Sequence, residues 1–238
     1  MKYQNIHKAT FLLRPNRFIA KCELDGNIIE AHVRNTGRCK ELLIPGCTVY
    51  LENNLNPNRK TQYSLISVEK EDRLINMDSL APNKVFHEAL KEGRIELPEF
   101  QAPYTIIKPE KVYGDSRIDF YAENHEAKAY IEVKGVTLEE NGVVLFPDAP
   151  TERGIKHIFE LCKAKEDGYL TYLVFIVQMK DVNYFTPNRK MQSAFAEALE
   201  VAEKTGVKLL VYDCQVLPDE ITLSQSVPIK LKGLLQND

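Results

Sequence analysis

Arg117-Ile118-Asp119-Phe120 and Ile131-Glu132-Val133-Lys134-Gly135 are the two stretches on which the reading of this chain turns. Both alternate apolar and charged residues with a period of two, the signature of strands with one buried face. Glu132 and Lys134 therefore share a face, while Ile131 and Val133 pack on the other. Asp119 lies on the strand before, across the short polar loop Glu123–Lys128, so an antiparallel hairpin brings it beside Glu132. Adjacent carboxylates repel, and a divalent cation with oxygen ligands resolves that repulsion. Mg²⁺ or Mn²⁺ suits two carboxylates plus a backbone carbonyl, here that of Val133, and retains several waters. An ammonium group beside the pair completes a constellation suited to cation-assisted attack on a phosphodiester, with Asp119, Glu132 and Lys134 in the catalytic positions. An isolated Glu-x-Lys is also what an ordinary solvated strand face shows, and the residues alone leave both readings open.

The surrounding sequence is α/β. A helix beginning at Pro82 and running to Lys91 precedes strands around 104–107, 117–122 and 129–136. A helix over 152–167 follows, then the apolar strand Leu170–Gln178, a helix over 188–205 and the strand Val207–Asp213. This order predicts a mixed sheet covered by helices over residues 81–238. Residues 1–80 read differently. Six short β runs at 9–14, 18–24, 28–33, 48–53, 63–68 and 73–77 are broken by turns, among them Asp25-Gly26. With one small helical piece at 39–43, they predict a small β-barrel of the oligonucleotide-binding (OB) kind. The fold class expected is thus α+β in two domains.

Charge divides along the same line. Residues 1–64 hold ten Lys/Arg against five Asp/Glu, a net of +5, and the remainder holds 21 against 29, a net of −8. A basic barrel suits phosphate contacts with DNA, with RNA left open. The polar loop Arg34-Asn35-Thr36-Gly37-Arg38 with Lys40 is the candidate contact, supported by Arg14, Arg17 and Lys21. Tyr3, Phe11, Phe18 and Tyr50 are candidates for base stacking, most of them expected in the barrel core. In the second half, Thr151 caps a helix whose first turns carry Glu152, Arg153 and Lys156. Arg153 and Lys156 are candidate phosphate contacts, while Glu88 and Glu110 are further candidate acids. Five scattered cysteines without a C-x-x-C pair argue against a zinc ribbon or a disulfide framework and suit a reducing, cytoplasmic setting. No apolar run approaches a membrane span, and no signal peptide is apparent. Oligomeric state, a homodimer included, is left open.

Taken together, these segments resemble a known family. The Asp…Glu-x-Lys hairpin is similar to that of the PD-(D/E)XK nuclease superfamily. Asn35–Arg38, Gly114–Phe120, Ile131–Leu138 and Phe146–His157, with a weaker match at Ser226–Lys230, resemble the sugar fermentation stimulation protein A family over nearly the whole chain. The resemblance implies an N-terminal OB barrel, a C-terminal nuclease-like domain, DNA binding, and Asp119, Glu132 and Lys134 as metal and catalytic positions. It equally implies an alternative, a non-catalytic DNA-binding regulator of sugar (maltose) utilisation genes. Two positions depart from the family pattern: Arg34 stands where proline is frequent, and Gly135 where serine is frequent.

Overall fold

The computed structural model describes residues 1–35, 37, 39–56 and 60–232. The six N-terminal β runs all form: β1 (Ile6–Asn16), β2 (Ile19–Leu24), β3 (Asn27–Val33), β4 (Thr48–Asn53), β5 (Tyr63–Lys70) and β6 (Arg73–Asn76). β1 pairs with β2 and β4, β2 with β3 and β4 with β5, all antiparallel, and a parallel β3–β5 pairing closes the ring. The result is a closed five-strand barrel with OB connectivity, from which β6 extends as the far arm of a hairpin. Asp25 and Gly26 both adopt positive φ (51° and 77°), as the tight β2–β3 turn demands.

The small helix expected at 39–43 is absent. Leu43 N–H donates to the Cys39 carbonyl, closing one turn, and the chain then reaches Pro45. A segment this short, starting from a left-handed Cys39 (φ 46°), gains too few hydrogen bonds to offset helix nucleation.

The second domain is built on the mixed sheet β15-β14-β12-β9-β8-β7. Its members in chain order are β7 (Ile106–Tyr113), β8 (Ser116–Glu123), β9 (Lys128–Val136), β12 (Leu170–Val177), β14 (Lys208–Leu217) and β15 (Glu220–Ser226). β9, β12 and β14 run parallel, while β7, β8 and β15 are antiparallel to their neighbours. Among the described residues, three helices flank the sheet: α1 (Ala81–Lys91), α2 (Glu152–Glu166) and α3 (Ser193–Thr205). A side sheet joins β10 (Glu139–Glu140), β11 (Val143–Phe146) and β13 (Tyr184–Pro187). These three strands and β15 were not anticipated, because they are short or amphipathic segments whose pairing is non-local. The third helix starts at Ser193 rather than 188: Pro187 ends β13, and the Asn188 carboxamide accepts the Met191 N–H to shape a turn.

The central strand β12 is buried on both faces, which explains its near-continuous apolar run. Leu173, Phe175 and Val177 face the cluster containing α2 and α3; Tyr172, Val174 and Ile176 face the cluster containing α1. Each such fully buried side chain contributes about 1.5–3 kcal/mol. Polar contacts tie the barrel to this domain. Lys70 and Arg73, on the β5–β6 hairpin, hold buried Glu139 at 2.7 and 2.6 Å. Buried Gln178, just past β12, donates to Asn76 Oδ1 and to the Asp78 carbonyl, and its own carbonyl accepts the Asn76 N–H. Among the described residues no helix is long and apolar enough to cross a membrane.

Candidate active site and nucleic-acid surface

The β8–β9 ladder runs from the turn as far as the Phe120–Ile131 pair, and one residue further from the turn the two strands part. Side chains then take over the pairing. Glu132 Oε2 faces the Asp119 N–H at 3.4 Å, and Asp119 Oδ2 accepts the Val133 N–H at 2.9 Å. The two carboxylates therefore meet where the strands diverge, as the hairpin reading expected. On its other side β9 pairs in register with β12, Glu132 opposite Leu173, which points Glu132 toward α2.

Glu132 is only 2% exposed. Its Oε1 accepts Lys134 Nζ at 2.6 Å and also contacts His157 Nδ1 from α2. Burial pushes its carboxyl up, but hydrogen bonds from His157 and Lys134, with the Lys134 charge, outweigh this and hold it below the usual range. Asp119 goes the other way. Burial and then the Glu132 charge raise it, despite the Val133 N–H and an Asn83 side-chain amide 3.0 Å from its Oδ1. A pair of neighbouring acids pushed apart in this way is what a functional site shows, although ion-pair networks also produce it.

The donor set is hard and oxygen-rich. Two carboxylates and the Val133 carbonyl suit Mg²⁺ or Mn²⁺, which keep part of their water shell. Among the described residues no three His, Cys, Asp or Glu side chains converge as a ready cage, so a cation here would keep several waters.

Two contributors escaped the sequence reading. Asn83 was hidden in the helix start Ala81-Pro82-Asn83. His157 lies at the end of the quoted segment Phe146–His157, and only its spacing of four from Arg153 hinted at a shared helix face. Other candidates lie elsewhere. Glu152 accepts from Gln192, Glu88 binds the Met1 ammonium at 2.6 Å, and Glu110, at φ 53°, pairs with exposed Arg117. Lys156 reaches the Asp115 carbonyl at the β7–β8 turn, whereas Arg153 Nε approaches His157 Nε2.

Gly135 has a structural reason. A Cβ there would stand 2.7 Å from both Pro82 Cγ and Gln178 Oε1. The position has no room for a side chain while α1 keeps its seat.

On the barrel, Arg34 is not a surface cation. Its guanidinium lies 2.8 Å from Asp78, which is fully buried, and 3.6 Å from Glu52. Its charge is satisfied internally, which corrects its expected role as a phosphate contact. Arg14 also turns inward, donating to the carbonyls of Asn35 and Gly37 and so shaping that loop. Thr36 and Arg38 lie outside the described residues. Of the described candidate contacts on the barrel, Arg17 and Lys40 are exposed and Lys21 is half-buried. Arg17 and Lys40 border a cleft of about 630 Å³ between the β1–β2 hairpin and the 37–45 segment, lined also by Leu13, Asn16, Gly37 and Pro45. Of the aromatic candidates, Tyr3 and Phe11 are buried and Tyr50 is half-buried, bonded to Glu69. Phe18 is 46% exposed, with the Arg17 guanidinium 4.8 Å above its ring.

Comparison with known proteins follows the same division. Residues 12–77 match the family model described as the SfsA N-terminal OB domain, and residues 80–220 match the sugar fermentation stimulation protein RE domain. The chain belongs to the sugar fermentation stimulation protein family. A homolog from Desulfitobacterium hafniense (strain DSM 10664 / DCB-2) is 56% identical over 231 residues, 97% of this chain and 99% of the relative. One from Clostridium beijerinckii is 52% identical, covering 97% of this chain and all of the relative. Among solved structures, that of Pyrococcus furiosus SfsA in complex with Ca²⁺ is similar at a TM-score of 0.87 and 30% identity, covering 97% of this chain and 98% of that one.

Proposed function

We propose that this chain is a divalent-cation-dependent phosphodiesterase acting on DNA, with the OB barrel holding the polymer. The observation that carries the reading is the meeting of Asp119, Glu132 and Lys134 where β8 and β9 part. A similar protein whose structure is described as a complex with Ca²⁺ supports a cation in this family. A bound cation would activate a water and neutralise charge on the attacked phosphate. Asp119 and Glu132, with the Val133 carbonyl, would hold it. Lys134 would stand beside the scissile phosphate and stabilise the charge that develops on its oxygens. Arg153, at the exposed start of α2, would contact a flanking phosphate. On the barrel, Arg17 and Lys40 would bind the backbone while Phe18 offers a ring to an unstacked base.

The test is to incubate the protein with single- and double-stranded DNA and RNA in Mg²⁺, Mn²⁺, Ca²⁺ or EDTA, scoring binding and cleavage separately. Cleavage in Mg²⁺ or Mn²⁺ that EDTA abolishes supports the reading. Binding of DNA without cleavage under any cation would overturn the catalytic half and leave a DNA-binding regulator.

A further inference from the structure

His157 is buried (5% exposed) and stands between two groups of known hydrogen-bonding capacity. Arg153, one helical turn earlier on α2, directs its Nε at His157 Nε2 at 3.4 Å. An arginine can only donate. Nε2 therefore carries the lone pair, the ring proton sits on Nδ1, and Nδ1 donates to Glu132 Oε1. Lys134 Nζ donates to the same oxygen at 2.6 Å. Both strong donors thus converge on Oε1, while among the described residues Oε2 meets the longer Asp119 N–H alone.

We infer that His157 is a positioning residue of the site: with Lys134 it pins one oxygen of Glu132, so that the other is presented to the cation. This rests on the cation reading proposed above and assigns a role to a residue of α2 that the Asp…Glu-x-Lys hairpin does not contain. Outer hydrogen bonds to a metal-binding carboxylate typically matter 10–100-fold in affinity. The geometry also explains why a histidine, not a longer amine, sits here. The imidazole proton reaches Glu132 from a rigid ring, and its second nitrogen is oriented by Arg153.

The experiment compares the full chain with His157→Ala, His157→Asn and His157→Gln. An asparagine amide can replace the Nδ1 donor, whereas a glutamine amide reaches toward the Nε2 position. Ca²⁺ and Mn²⁺ affinities are read by calorimetry and by cation-induced rise in melting temperature, beside melting in EDTA. The expected result is a ~10–100-fold weaker cation affinity for His157→Ala and His157→Gln, with most of it recovered in His157→Asn. A parent that binds no cation would remove the cation reading and this role with it. A parent that binds while His157→Ala binds equally well would remove this role alone. Should the alanine variant not fold, the Asn and Gln variants decide, and equal affinities would overturn the inference. Independently of any cation, a long-range proton–nitrogen NMR spectrum of the parent should show His157 as the Nδ1–H tautomer. An Nε2–H pattern would overturn the assignment.

Discussion

Asp119 and Glu132 each accept, or face, a backbone N–H of the other's strand: the Asp119 carboxylate takes the Val133 amide, and Glu132 Oε2 faces the Asp119 amide. The carboxylates do the work of the ladder where it opens. The site and the end of the hairpin are thus the same physical feature, and substitutions there have linked consequences for stability and chemistry.

Asp119 is raised by burial and by the Glu132 charge, so folding is opposed by its ionisation. That cost is present when the pH lies above its raised pKa and is relieved as pH falls through it. Asp119→Asn should therefore melt higher than the parent in EDTA at neutral pH, on the order of 1 kcal/mol or ~2–4 °C. The gap should close on acidification through the carboxylate range. The same variant should lose its melting response to Mg²⁺ or Mn²⁺. Scanning calorimetry across pH, with and without cation, checks both.

Lys134→Ala should lower cleavage by ~10²–10³, the usual loss for a contact to developing charge. It should also shift acid unfolding. Glu132 is held low by His157 and Lys134, so it contributes stability above the ordinary carboxylate pKa that is lost as pH falls through its depressed one. Without Lys134 the carboxyl rises, and acid unfolding begins at higher pH. Excess Mn²⁺ should not restore cleavage. An unchanged acid midpoint in circular dichroism titrations would contradict the pairing.

Arg34→Ala and Lys40→Ala should behave oppositely. Arg34 neutralises Asp78 inside the protein, and removing one partner of a buried pair costs about 3–5 kcal/mol. Lys40 is exposed, so its removal should leave melting unchanged and weaken DNA binding, with a shallower salt dependence. Combining Lys40→Ala with Arg17→Ala should deepen the binding loss. Thermal melts and salt titrations of DNA affinity separate the two classes.

Gly135→Ser would place a side chain at a position that has room for none. Here its Cβ would meet Pro82 and Gln178 at 2.7 Å, and Gln178 also joins the two domains. Overpacking of this kind costs about 1–3 kcal/mol. The expected outcome is a lower melting temperature, reported by scanning fluorimetry. Shortening Gln178 at the same time should recover part of the loss only if that side chain, rather than Pro82, is the one that yields.

Local pattern was enough for the strands β1 to β6, the turn at Asp25-Gly26 and the three principal helices, because period and turn chemistry are properties of neighbouring residues. It was also enough to bring Asp119 beside Glu132 and Lys134, since a hairpin and a period of two are local features. Only the tertiary structure decided the rest. It turned Arg34 inward onto Asp78, brought Asn83 and His157 from separate helices onto the two carboxylates, and left no volume beyond the α-carbon of Gly135. Strand periodicity fixes which face a side chain takes, but which helix covers that face, and where its charges fall, depends on packing between segments distant in sequence.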